Sequence, residues 1–208
     1  HNPDSWKMRT GEELTADELL DKALRYRAYW GDKGGITVSG GEALMQMEFV
    51  TELFEKAHAM GVTTCLDTSA QPFTREEPWF GDFAKLMAVT DTVLLDIKHI
   101  DDEAHRRLTR FGNANILDCA RYLSDIGKPV WIRHVLVPGI TDDEASLVRL
   151  HDFLCSLSNI ERIDVLPYHT LGTFKYEKLG IAYPLRDTPT PTPESVARAR
   201  NILEGTIG

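Results

Sequence analysis

The chain has 208 residues, a formal net charge of −9, 42% hydrophobic and 26% charged residues, which fits one globular domain and excludes a collagen, a coiled coil or a disordered chain. No apolar run reaches the ~18 residues of a membrane span, and no Lys/Arg cluster offers the concentrated positive surface that phosphates require. Neither a membrane nor a nucleic acid is an expected partner.

In chain order, residues 15–30 predict a helix: Thr15 caps it, Glu18 closes a capping box, Leu20, Ala23, Leu24 and Ala28 share a face, and Gly31 stops it. Ile36 to Val38 reads as a buried strand running into Ser39-Gly40-Gly41-Glu42. A second helix carries Phe49, Val50, Leu53, Phe54, Ala57 and Met60 at three- and four-residue spacing and ends at Gly61. Val62 to Leu66 and Thr92 to Leu95 read as strands that end at Asp67 and Asp96. Helices follow at 101–110 and 116–126, then a β-branched strand from Val130 to Val137, a helix at 142–157 and a strand from Ile163 to Leu166. Residues 184–193, with Pro184, Pro189, Pro191 and Pro193, form a surface loop before a last helix with Thr192 as its cap and Pro193 as its first residue.

Strands separated by helices predict a parallel sheet with right-handed crossovers, in a single domain over residues 1–208. Glu42, Asp67, Asp96 with Lys98, Arg133 with His134, and Tyr168 with His169 each close a different strand. Barrel enzymes put their active-site groups at those ends, whereas a doubly wound sheet gathers its ligand at one switch point. The expected fold is therefore an α/β partial barrel.

Each motif has an ordinary reading beside the functional one. Gly40-Gly41-Glu42 is either a β-to-α turn or a loop that brings backbone carbonyls up to an ammonium. Asp67 and Asp96 either cap helices or hold a cation or an amine, and Lys98 beside Asp96 favours a site. Arg133, inside an apolar run, is either a structural ion pair with a strand-end carboxylate or a recognition group. His169 is a base, a ligand or a hydrogen-bonded loop histidine. Cys65, Cys119 and Cys155 are odd in number and far apart, which predicts a reducing cytoplasm rather than a disulfide framework. They read as small core residues, and their spacing matches no zinc or cluster motif.

Seven segments in this order and spacing carry a resemblance: His1-Asn2-Pro3-Asp4-Ser5-Trp6, Ser39 to Ala43, Thr64 to Thr68, Leu95 to Lys98, Trp131 to Arg133, Val137 to Gly139 and Leu166 to His169. Together they resemble the pyruvate formate-lyase activating enzymes of the radical S-adenosylmethionine superfamily. The likeness runs from His1 to about the end of the last helix, and Tyr168 to Gly172 with Lys175 to Leu179 points to the pyruvate formate-lyase branch. The resemblance implies a partial (β/α)6 barrel that binds S-adenosylmethionine at its strand ends. It places the methionine part of that cofactor on Gly40, Gly41, Glu42, Asp67 and Lys98, and the nucleoside beside Val135 and His169. It also implies a monovalent cation among Asp67, Thr68, Asp96 and the Leu94 carbonyl, and contact of His1 and Arg133 with the glycine-bearing peptide of the partner enzyme. The partners would be pyruvate formate-lyase and an electron donor such as flavodoxin or ferredoxin. The activity implied is reductive cleavage of S-adenosylmethionine at a [4Fe–4S] cluster, followed by hydrogen abstraction from a glycine.

The family's Cys-x3-Cys-x2-Cys motif is absent, and in the family a His-Asn pair like His1-Asn2 directly follows its third cysteine. The chain is therefore expected to lack the first strand and the cluster loop, to hold no catalytic cluster ligand and to be inactive as it stands. Two competing readings remain at this level. One is a divalent-metal barrel lyase or hydrolase using Glu42, Asp67, Asp96 and His169; the other is a non-catalytic remnant that binds cofactor or partner.

Overall fold

The computed structural model, which describes residues 12–31, 34–171 and 173–205, turns the five apolar segments into strands. These are β1 (Gly35–Val38), β2 (Thr63–Thr68), β3 (Thr92–Asp96), β4 (Val130–Leu136) and β5 (Ile160–Pro167). Every neighbouring pair is parallel and spatial order follows chain order, β1-β2-β3-β4-β5. Parallel neighbours need a crossover between them, and helices supply it, giving the expected partial barrel architecture.

The helices are α1 (Ala16–Leu24), α2 (Met47–Ala59), α3 (Trp79–Ala88), α4 (Asp102–Thr109), α5 (Ala114–Asp125), α6 (Glu144–Cys155), α7 (Thr173–Lys178) and α8 (Pro193–Leu203). The capping box of α1 forms between Thr15 and Glu18, but the helix is shorter than the expected 15–30. It gives way to a 3-10 turn at Arg27–Tyr29, where Tyr26 and Tyr29 stand in solvent and no apolar face remains to hold a further turn. The last helix starts as read, with the Thr192 side chain accepting from Ser195 N–H and Pro193 in the first turn.

The short α7 and the whole of α3 were not expected from the sequence. Helix α3 buries Phe83, Leu86 and Met87, and an aromatic group packs around it. Phe73 meets the edges of Trp79 and Phe83, Trp79 stacks on Phe83 at 5.2 Å, and Phe80 meets Tyr122 of α5 at 5.0 Å.

Side chains alternate across a strand, and here the two faces differ. Leu66, Leu95 and Ile132 are fully buried against the helices, in one core with Phe54, Leu86, Leu123 and Leu154. Their neighbours Asp67, Leu94, Asp96, Trp131 and Arg133 are only half-buried on the face that the helices leave uncovered. Among the described residues no helix is long and apolar enough to cross a membrane.

This asymmetry predicts unequal costs for two adjacent leucines of β3. Leu95→Ala is expected to destabilise the fold by ~2–5 kcal/mol, as buried truncations do, and Leu94→Ala by less than half as much. Urea denaturation of both variants checks this, and equal costs would contradict the one-sided core.

Candidate functional site

The alternation that buries Leu95 and Ile132 sends Asp96 and Arg133 to the open face, where the register sets them side by side; Asp67 stands beside Leu94 one strand further on. Arg133 bridges both carboxylates. Its Nη1 donates to Asp67 Oδ2 at 2.8 Å and its Nε to Asp96 Oδ1 at 3.1 Å. Lys98 continues the alternation past the end of β3, and its Nζ donates to the second oxygen of Asp96 at 2.7 Å. Two carboxylates and two cations thus balance one another across three strands.

The members do not share that balance equally. Burial pushes the Asp67 carboxyl above its ordinary value, with Asp96 adding repulsion and Arg133 pulling it back. Burial also works against the charge on Arg133, but the attraction of Asp96 and then Asp67 outweighs it and holds the guanidinium more firmly protonated. The two ends differ because Asp96 accepts from Lys98 as well as from Arg133, whereas Asp67 accepts from Arg133 but not from Lys98.

The glycine loop after β1 completes this rim. Gly40 and Gly41 have φ of +96° and +58°, values that an L side chain rarely adopts. Nothing lies within 4 Å of where a Cβ on Gly40 would stand, so that glycine serves backbone conformation and leaves the main chain open to a ligand. Glu42 is engaged within the protein. Its carboxylate accepts from Thr68 Oγ1 at 2.5 Å, from Ser69 N–H and Oγ at 3.0 and 2.6 Å, and from Leu44 N–H at 3.2 Å. The side chain ties the β1 loop to the end of β2, and the backbone of the loop is what faces outward. Ser69, the main anchor of that tie, carried no signal in the sequence.

Thr68 is buried on the helix side, where its hydroxyl donates to Glu42 and accepts from Ala70 N–H. Val135 is half-buried beside Leu166 in the register, and His169 is exposed just past β5. His1 lies outside the described residues. The structure therefore brings Asp67, Asp96, Lys98 and Arg133 into one cluster, and sets Gly40, Gly41, Glu42, Val135 and His169 at the same carboxyl end of the sheet.

The cysteines depart from the expectation that all three are core residues. Cys119 is buried in α5 and burial drives its thiol pKa strongly up; Cys65 of β2 is half-buried and is also raised by burial. Cys155 is exposed at the end of α6, with its Sγ 3.3 Å from His151 Nε2. The apolar spacing of α6 placed Cys155 with the core, but the helix ends there, beyond its last buried turn at Leu154. Three thiols on separate elements do not fit an iron–sulfur cluster. Among the described residues no three His, Cys, Asp or Glu side chains gather in a way that would hold a metal ion.

Comparison with known proteins follows the same outline. Residues 1–151 match the radical SAM superfamily. The pyruvate formate-lyase-activating enzyme of Streptococcus mutans is 51% identical over 205 residues, covering 98% of this chain and 78% of the relative. That of Listeria monocytogenes is 47% identical over 205 residues, covering 98% and 83%. Among solved structures, a domain of pyruvate-formate lyase-activating enzyme from Bacteroides vulgatus superposes with a TM-score of 0.67 at 26% identity, covering 82% of this chain and 93% of that one.

Two outcomes follow from the geometry. Glu42→Ala removes the tie between two rim loops and is expected to cost about 2–3 kcal/mol of stability, in the range of hydrogen bonds to a charged group; an unchanged urea midpoint would contradict that role. Because the carboxyl pKa of Asp67 is raised in the folded state, the folded protein holds the proton longer than the unfolded chain. The stability of the native protein relative to Asp67→Asn should therefore fall as pH rises through the window just above the ordinary aspartate range. Thermal melts across that window read the slope, and a rise would contradict the assigned direction.

Proposed function

The chain belongs to the radical SAM superfamily and, within it, to the pyruvate formate-lyase-activating enzymes, and we propose that its open rim holds S-adenosylmethionine against a glycine-bearing peptide of pyruvate formate-lyase. The family is one of oxidoreductases, and membership implies S-adenosylmethionine and a [4Fe–4S] cluster. It does not favour the divalent-metal lyase or hydrolase reading. The observation that carries the proposal is the charge-balanced cluster of Asp67, Asp96, Arg133 and Lys98 beside the open glycine loop.

The rim is complementary to a zwitterionic amino acid. Lys98 offers an ammonium to a carboxylate, Asp67 offers a carboxylate to an ammonium, and the main chain at Gly40 and Gly41, with that of Glu42, offers carbonyls. Burial works against the charge on Asp67, and an opposite charge brought up to it would offset that penalty. Val135 and His169 would flank the nucleoside, the first half-buried and the second exposed at the end of β5. A monovalent cation would share Asp67 and Asp96 with Arg133, alongside the Leu94 carbonyl and the Thr68 backbone, because the Thr68 hydroxyl is committed to Glu42.

When bound, S-adenosylmethionine supplies the group that takes hydrogen from the peptide glycine. The protein's own part is to hold the two reactants close and to keep water away. Arg133 directs two of the five N–H groups of a guanidinium at Asp67 and Asp96. The remaining donors suit the backbone carbonyls of an extended peptide, and His1 is proposed to join them. The electron would come from a small redox protein such as a flavodoxin or a ferredoxin. Three unpaired cysteines suit a reducing cytoplasm.

In an intact, cluster-loaded activating enzyme that carries the family's cysteine motif together with these residues, Asp67→Ala or Lys98→Ala is expected to weaken S-adenosylmethionine binding roughly tenfold, the loss of one charge-assisted contact. Arg133→Lys keeps the charge but loses the planar fork, and should impair turnover of the glycine peptide more than it impairs cofactor affinity. Calorimetric titration and glycyl radical yield separate the two. Unchanged affinity in both cofactor variants would overturn the rim assignment, and equal losses in Arg133→Lys would leave Arg133 a structural ion pair.

A further inference from the structure

Behind the open rim, on the face that packs against the helices, His134 of β4 lies between two segments that leave the sheet. Its imidazole is 2% exposed, with Nδ1 2.9 Å from the Ile97 carbonyl and Nε2 3.2 Å from the Thr141 carbonyl. The backbone ladder between β3 and β4 closes with Ile97 N–H donating to Arg133 O. The next acceptor in line, the Ile97 carbonyl, is met by the imidazole instead of by a strand.

That carbonyl belongs to the peptide group joining Ile97 to Lys98. A peptide group is planar, so fixing the Ile97 oxygen fixes the plane that carries the Lys98 nitrogen and Cα, the base from which its side chain departs. Burial works against a charge on the His134 ring, and of its two nitrogens Nδ1 stands at the shorter distance from a carbonyl, that of Ile97, which favours the tautomer that donates there. On its other side the ring abuts Thr141. The Thr141 hydroxyl accepts from Val137 N–H at 2.8 Å and donates to the Val135 carbonyl at 2.7 Å. The Pro138-Gly139 turn, with Gly139 at φ +72°, folds Thr141 back onto the end of β4. One buried ring therefore spans the segment that carries Lys98 and the turn that anchors Val135.

Resting on the reading that Lys98 binds the cofactor, we propose that His134 is a positioning residue for S-adenosylmethionine binding, acting through Lys98 from the opposite face of the sheet. An apolar residue in its place leaves the Ile97 carbonyl buried without a donor, and the peptide group turns to find one. Lys98 then keeps its charge and loses its aim.

The test is a double-mutant cycle on S-adenosylmethionine affinity, measured calorimetrically in an intact, cluster-loaded activating enzyme that carries the family's cysteine motif together with these residues, with thermal melts to establish folding. His134→Leu is expected to weaken binding about fivefold, the effect of one lost buried hydrogen bond, while leaving maximal turnover nearly unchanged. In a Lys98→Ala background the same substitution should change affinity less than about twofold, because residues that act as one unit are not additive. His134→Gln, which keeps an N–H donor, should recover most of the affinity. If His134→Leu does not fold, His134→Met, which likewise has no N–H to offer, enters the same cycle with the same expectation. Affinity within twofold of the native protein in the folded variant, or an equal loss in both backgrounds, overturns the proposal. If Lys98→Ala itself binds as the native protein does, the cofactor reading of Lys98 fails and the role of His134 falls with it. If Lys98→Ala is weakened and His134→Leu is not, the role of His134 alone falls.

Discussion

A guanidinium lodged between carboxylates of two other strands holds the open face of this sheet together. Arg133 reaches Asp96 on the adjacent strand and Asp67 one strand further, and Lys98 takes the second oxygen of Asp96. Without Arg133 the face would carry two half-buried carboxylates against a single lysine, a costly arrangement in a medium less polar than water. With it, the face is neutral in sum and polar in detail. That combination would let a charged ligand exchange one internal contact for another instead of entering a field of one sign.

The opposite face has a different task. Leu66, Leu95 and Ile132 are fully buried there, and they lock the register that sets Asp96 beside Arg133. A slip by one residue would turn every charged group of the site into the core. The site and the core are thus specified by the same strands and the same pairing. His134 and Thr68 show the two faces meeting: both are buried polar residues on the helix side, both are hydrogen bonded, and each braces a segment that carries a residue of the rim.

The elements easiest to read in the sequence were those whose signals are local. The capping box at Thr15 and Glu18, the Thr192-Pro193 helix start and the β-branched run of β4 all depend on neighbours a few positions apart. Helix α3 was missed although Phe83, Leu86 and Met87 carry the helical spacing; what no local pattern shows is that Trp79, Phe80 and Phe83 also pack on Phe73 and on Tyr122 of a later helix. The end of α1 was overread because Ala28 shares the spacing of Leu20, Ala23 and Leu24 yet stands exposed past the end of the helix. Cys155 was misplaced for a related reason, since periodicity does not say where a helix stops being covered.

For the site, the sequence by itself determined which residues stand at the strand ends. The two-residue period of a strand and the order of elements put Glu42, Asp67, Asp96, Arg133 and His169 at one end of a parallel sheet, and their motifs pointed to the family. Only the tertiary structure decided how those residues divide the work. It commits the Glu42 carboxylate to Thr68 and Ser69 and suspends Arg133 between two carboxylates. It also turns His134 away from the rim to meet the carbonyls behind it. Hydrogen-bond partners lie across strands that are 26 to 66 positions apart in the chain, and no local pattern of residues encodes which donor reaches which acceptor once the sheet has closed.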